Sequence, residues 1–130
     1  MIVLDASALI EVLLWTPAGQ RVAAVLSESS STPCAPHLIS VEVTQVLRRL
    51  CHLDQLDPHR AAGAIEDLTD FNIERYDHEI LAGRIWQLRG HMTAYDAAYV
   101  ALAELLDAQV VTFDKRLARA GGTTATFLVP

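Results

Sequence analysis

The chain of 130 residues is 52% hydrophobic and 20% charged, enough apolar content for a single packed core and too little charge for a disordered segment. Sixteen acidic residues against ten basic ones leave a formal charge of −6, which excludes a broad basic surface for nucleic acid and a face that adheres to anionic lipid. No run reaches the roughly 18 consecutive apolar residues of a membrane helix, and the first five residues lack the basic flank of a signal peptide. Cys34 and Cys51 have neither CxxC spacing nor disulfide density and read as reduced core thiols of a cytoplasmic protein.

Ile2-Val3-Leu4 is a short apolar run closed by Asp5, the pattern of a buried parallel strand. Residues 6–14 read as a helix, and Thr16-Pro17, a cap residue followed by a first-turn proline, opens a second. Residues 29–33 form a loop ahead of a brief strand at Cys34-Ala35. Val43, Val46, Leu47 and Leu50 recur at helical spacing over residues 40–50. Asp57-Pro58 restarts a helix that runs to about Leu68, and residues 71–76 alternate weakly as a strand. Helices follow over 77–89, where Trp86 reads as core, and over 94–106, capped by Thr93. Residues 110–113 are a second buried strand, followed by a short helix after Asp114 and a last strand near 126–129. Strands alternating with helices, without linker or repeat, predict one α/β domain over residues 1–130, a three-layer α/β/α sandwich on a mostly parallel sheet.

Ligands of open parallel sheets gather at the carboxyl ends of strands, where strand order reverses. Asp5 closes the first strand and Asp114 follows the strand at 110–113, although either could serve only as a helix N-cap. Asp96 lies in the first turn of a helix, whose partial positive charge favours a carboxylate, and Glu42 stands in an otherwise apolar stretch. A solvated helix position would account for each alone. The helix around Asp96 is apolar nearly all round, however, so its one early acid faces something polar or ionic. Carboxylates gathered without matching bases repel one another unless a cation fills the gap, and an all-oxygen set selects Mg²⁺ or Mn²⁺ over Zn²⁺. A carboxylate-bound Mg²⁺ keeps waters and accepts phosphate oxygens, which suits phosphate chemistry.

Four stretches, in order, resemble the motifs of PIN-domain ribonucleases, specifically the toxins of VapBC toxin–antitoxin pairs. They are Val3-Leu4-Asp5-Ala6-Ser7-Ala8-Leu9; Pro36-x-Leu38 with Glu42-Val43 and Leu47-Arg48-Arg49; Tyr95-Asp96-Ala97-Ala98-Tyr99-Val100-Ala101-Leu102-Ala103; and Thr112-x-Asp114-x-x-Leu117-x-x-Ala120. The resemblance implies that Asp5, Asp96 and Asp114 hold Mg²⁺ or Mn²⁺. Glu42 would complete the cluster as a base or a water-mediated ligand, and the Ser7 and Thr112 hydroxyls would orient the carboxylates. The implied reaction is hydrolysis of RNA phosphodiesters by a metal-activated water, leaving a 5′-phosphate and a 3′-hydroxyl. A homodimer is implied too, as is silencing by a cognate antitoxin laid across helices near the N-terminus, with Trp15 its candidate contact.

Lys115 and Arg116 stand where some relatives place a further acid, which favours one firmly held ion, and they are the candidate RNA contacts; Arg48, Arg49, Arg89, His91, Thr93 and Arg119 lie near the acids in sequence. Two other readings stay open. An aspartyl-phosphate phosphatase or receiver-like protein needs a pair of acids at the first strand end, where Asp5-Ala6-Ser7 supplies one. A catalytically inactive binding module would keep the fold, and the full set of acids speaks against it.

Overall fold

A computed structural model describes the whole chain, Met1–Pro130. Five strands, β1 (Ile2–Leu4), β2 (Cys34–Pro36), β3 (Glu74–Tyr76), β4 (Gln109–Val111) and β5 (Thr126–Leu128), form one sheet in the order β3-β2-β1-β4-β5. Every pairing is parallel, so the expected mostly parallel sheet is wholly so. At its centre Val3 sits between Cys34 and Val110, all three fully buried. Strands of three residues cannot hold a sheet alone; burial under helices on both faces does.

Six helices supply that cover: α1 (Ala6–Leu13), α2 (Pro17–Glu28), α3 (Leu38–His52), α4 (Pro58–Asp70), α5 (Ala82–Gln87) and α6 (Ala94–Leu106). The chain steps from β1 to β3 in one direction and then crosses back to β4. Right-handed crossovers in opposite directions place α1–α4 on one face and α5–α6 on the other. Packing agrees: α1 lies against α2 and α3, α3 against α4, and α6 against α5 and across β1, β2 and β4.

The caps read from the sequence are made. Thr16 Oγ1 accepts from Gly19 N at 3.0 Å ahead of Pro17, Asp57 Oδ1 accepts from His59 N at 2.8 Å ahead of Pro58, and Thr93 Oγ1 accepts from Asp96 N at 3.2 Å. α1 and α2 meet at 107°, turning through Trp15 at φ 52°. A Cβ on Gly19 would stand 1.9 Å from the Glu11 carbonyl oxygen, so only glycine permits this corner.

Several boundaries differ from expectation. The helix expected over 77–89 is a 3-10 turn (Glu79–Leu81) followed by the six-residue α5, and the helix after Asp114 is one 3-10 turn (Leu117–Arg119). Trp86 is not core but 67% exposed, because so short an element buries only Leu81 and Leu88 at its flanks; the Arg89 guanidinium stacks 4.2 Å from the Trp86 ring centre instead. β4 ends at Val111, two residues short of expectation; Thr112 N still donates to Leu128 O at 3.0 Å, and the chain then turns so that Phe113 and Asp114 line a cleft. Both cysteines are free; Cys34 is in the core as expected, but Cys51, in the last turn of α3, is only half-buried. No single helix is long and apolar enough to cross a membrane.

Candidate active site

β1 and β4 are neighbours in the sheet although β2 and β3 intervene in the chain. Strand order therefore reverses between them, and their carboxyl ends open a crevice. Asp5 follows β1 and Asp114 closes the segment after β4; Glu42 comes from the second turn of α3 and Asp96 from the first turn of α6. All four carboxylates line one cleft of about 390 Å³.

Asp5, 7% exposed, occupies the N-cap position of α1 yet makes no capping bond. Ser7 Oγ and Thr112 Oγ1 each donate to its Oδ2 at 2.7 Å. The same hydroxyls accept from Phe113 N and Asp114 N, both at 3.0 Å, and lie 3.2 Å from one another. This knot ties the ends of β1 and β4 together and satisfies one carboxylate oxygen while Oδ1 takes no hydrogen bond from the protein. Asp114 does act as a cap: Oδ1 accepts from Arg116 N at 2.9 Å and Leu117 N at 3.2 Å, which starts the 3-10 turn. Its Oδ2 stands 3.8 Å from the Arg116 guanidinium, which also reaches Asp96 Oδ2 at 3.4 Å.

The electrostatics follow from this arrangement. Burial raises the pKa of Asp96 above the ordinary carboxylate range; Arg116 opposes the rise, and Asp114 and Asp5 add to it. Glu42 is raised by burial first and by Asp5 and Asp96 after it, with Tyr99 acting in the other direction. Glu42 Oε1 and the hydroxyl of Tyr99, a residue only 1% exposed, are both buried without a well-formed hydrogen bond, and the contact between these two side chains is what draws the Glu42 pKa back down. Burial, and then the neighbouring Glu42 and Asp5 charges, hold Tyr99 far above the ordinary phenol range, so it is a neutral group.

The acids are not drawn in around a common point: Asp5 is held by its two hydroxyls, and Asp96 and Asp114 lean on Arg116. Nevertheless the donor set fits a hard divalent cation. An orphaned buried carboxylate oxygen, an unbonded oxygen on Asp5 and two acids with raised pKa values are what such a set shows without one.

Around the acids, Ile10, Leu14, Val46 and Leu50 form an apolar wall, with Arg49 at its rim. Trp15, 57% exposed, does not line the cleft; Leu14 does, since the left-handed turn at Trp15 carries the indole away. Lys115 is exposed beside Asp114 and also stays off the cleft wall. Tyr99 was invisible as a site residue in sequence; its only signal is a polar tip three positions after Asp96, on the same helix face. A larger hollow of about 490 Å³ lies at the opposite ends of the strands, but its Glu104 is taken up by Arg84 and Thr123.

The family model for the PIN domain matches residues 2–122. The chain belongs to the PIN-domain family. Among curated PIN-domain relatives, it is 39% identical to "Ribonuclease VapC9" of Mycobacterium tuberculosis over 121 residues, which cover 93% of this chain and 91% of the relative. It is 40% identical to "Ribonuclease VapC1" of the same organism over 126 residues, 92% of this chain and 90% of the relative. The crystal structure of PAE2754 from Pyrobaculum aerophilum superposes with a TM-score of 0.69 at 22% identity, covering 97% of this chain and 81% of that one, a likeness of fold. This PIN domain thus falls among the VapC ribonucleases.

Proposed function

We propose that the chain is a Mg²⁺-dependent endoribonuclease, the toxin of a VapBC-type pair acting in the cytoplasm and silenced by a cognate antitoxin. The observation that carries this reading is the convergence of Asp5, Glu42, Asp96 and Asp114 from four separate segments on one cleft, with one buried oxygen left unpaired. Asp5, Asp96 and Asp114 would hold the ion, Mg²⁺ or Mn²⁺, and Glu42 would complete the set. Bound there, the cation supplies neutralising charge and a water acidified for attack on phosphorus.

The remaining work falls to the chain. Ser7 and Thr112 fix the rotamer of Asp5 through the two hydrogen bonds to Oδ2. Glu42, its carboxyl desolvated and its affinity for a proton raised, accepts the proton of the attacking water. Arg49, Arg116 and Lys115 meet the RNA backbone around the cleft mouth. The apolar wall of Ile10, Leu14, Val46 and Leu50 suits an antitoxin segment better than Trp15 does. A second copy would cover exposed Ile80 and Leu105. No observation favours the aspartyl-phosphate reading, since no second acid adjoins Asp5.

The decisive experiment compares purified, antitoxin-free wild type with Asp5→Asn and Asp96→Asn in RNA cleavage and in growth inhibition on induction. Both activities vanish in both variants while the circular dichroism spectrum is unchanged. Full toxicity in either variant overturns the site, and a wild type without nuclease activity at any Mg²⁺ or Mn²⁺ concentration restores the inactive binding module.

A further inference from the structure

Only one base, Arg116, forms an ion pair with any acid of the cleft. The Arg116 guanidinium stands 3.4 Å from Asp96 Oδ2 and 3.8 Å from Asp114 Oδ2, bridging two carboxylates that come from different elements. Its backbone is anchored, since Arg116 N donates to Asp114 Oδ1 at 2.9 Å. Its side chain is not, being 78% exposed. That exposure leaves the side chain free to swing into solvent without disturbing the fold, and a small pocket of about 70 Å³, which Arg116 lines together with Asp96, His91 and Leu117, adjoins it.

Arginine cannot shed its proton in a protein. A guanidinium and a divalent cation therefore repel one another at the same two carboxylates, and the arrival of one requires the departure of the other. A displaced Arg116 stays tethered at the cleft mouth, where its planar fork matches the oxygens of a phosphodiester. We propose that Arg116 is a resident counter-ion: it competes with the divalent cation for Asp96 and Asp114, and once displaced it grips the RNA phosphate, so that metal and RNA bind cooperatively. The inference rests on the metal-dependent nuclease reading and adds an order of events to it. RNA, by holding the arginine outside, removes the competitor of the metal, and linkage requires the metal to strengthen RNA binding by the same factor.

Calorimetric titration with Mn²⁺ tests this on wild type, Arg116→Gln and Arg21→Gln, each with and without an RNA oligomer of hydrolysis-resistant phosphorothioate linkages. Arg21, exposed on α2, makes no ion pair and controls for the lost unit of charge. Without RNA, R116Q binds Mn²⁺ roughly five- to tenfold more tightly than wild type, the scale of a partly exposed double charge contact, and R21Q binds as wild type does. The oligomer tightens Mn²⁺ binding by a larger factor in wild type than in R116Q, where only the attraction between the ion and the RNA phosphate remains. Equal Mn²⁺ affinities in wild type and R116Q overturn the inference while the nuclease reading stands. Coupling of equal size in wild type and R116Q overturns the phosphate grip, and Mn²⁺ binding by neither protein overturns both the inference and the reading beneath it.

Discussion

Replacing Thr112 by valine tests whether the polar knot behind Asp5 holds the site together. Thr112 is fully buried, and its hydroxyl serves three groups: it donates to Asp5 Oδ2 at 2.7 Å, accepts from Asp114 N at 3.0 Å and touches Ser7 Oγ at 3.2 Å. Valine keeps the branch and nearly the volume, so no cavity opens and the loss is polar. One hydrogen bond to a charged acceptor contributes about 1.5–3 kcal/mol, and an amide left without its acceptor costs about 1–3 kcal/mol. Because Asp5 retains Ser7 and the Asp114 amide is only partly buried, the expected loss is about 3 kcal/mol, which lowers Tm by roughly 10 °C. Thr112→Ser keeps the hydroxyl and loses one methyl group, about 1 kcal/mol. Urea denaturation measures both variants, and Mn²⁺ titration of the folded fraction shows whether Asp5 still meets the ion. If T112V and T112S are equally stable and bind Mn²⁺ alike, the hydroxyl does not hold Asp5 and the role assigned to the knot is refuted.

Glu42→Gln should stabilise the metal-free protein while abolishing RNA cleavage. Burial raises the folded-state pKa of Glu42, so ionising it weakens the fold progressively as pH climbs from the ordinary value of 4.5 through the raised one. The urea midpoint of E42Q therefore exceeds that of wild type near pH 7.5, and the gap closes below about pH 4.5; identical midpoints across that range would falsify the buried-carboxylate assignment. Gly19→Ala should cost about 3 kcal/mol or more, since its Cβ would meet the Glu11 carbonyl oxygen at 1.9 Å and rigid backbone must give way. A midpoint shift worth less than about 1 kcal/mol would mean that the α1–α2 corner is looser than described.

Much of the fold is legible because it is written in local chemistry. Thr16-Pro17 and Asp57-Pro58 announce helix starts through side-chain acceptors that lie within three residues of the amides they cap. The apolar runs around Val3 and Val110 announce central strands because both faces must be dry. Asp5 and Asp114 are legible from topology, being the acids that follow two such strands. Trp86 shows the limit: whether a six-residue helix buries one face depends on its length and neighbours, which spacing alone does not supply. The orphaned pair of Glu42 and Tyr99 joins α3 and α6 from opposite layers, and no local pattern links residues so far apart. The same holds for Arg116. Its charge is visible in the sequence beside Asp114, but its reach to Asp96, twenty residues earlier, exists only once the 3-10 turn is built against α6.

The overall acidity of the chain takes on a different meaning once the acids are placed. Five of the sixteen acids, Asp5, Glu11, Glu42, Asp96 and Asp114, line the cleft, and setting them aside leaves eleven acids against ten bases, so most of the net charge of −6 resides at one spot. A concentrated negative cleft repels a phosphodiester, and a cation within it reverses the local field where the backbone must approach. Arg49 on the cleft and Arg116 beside it provide two positive charges, too little to offset five carboxylates, and that is why the protein itself does not make the cleft attractive to RNA. An acidic isoelectric point and RNA cleavage are thus compatible. The affinity for phosphate is conditional on the ion, and the protein contributes the few bases, Arg49, Lys115 and Arg116, that orient a backbone already neutralised.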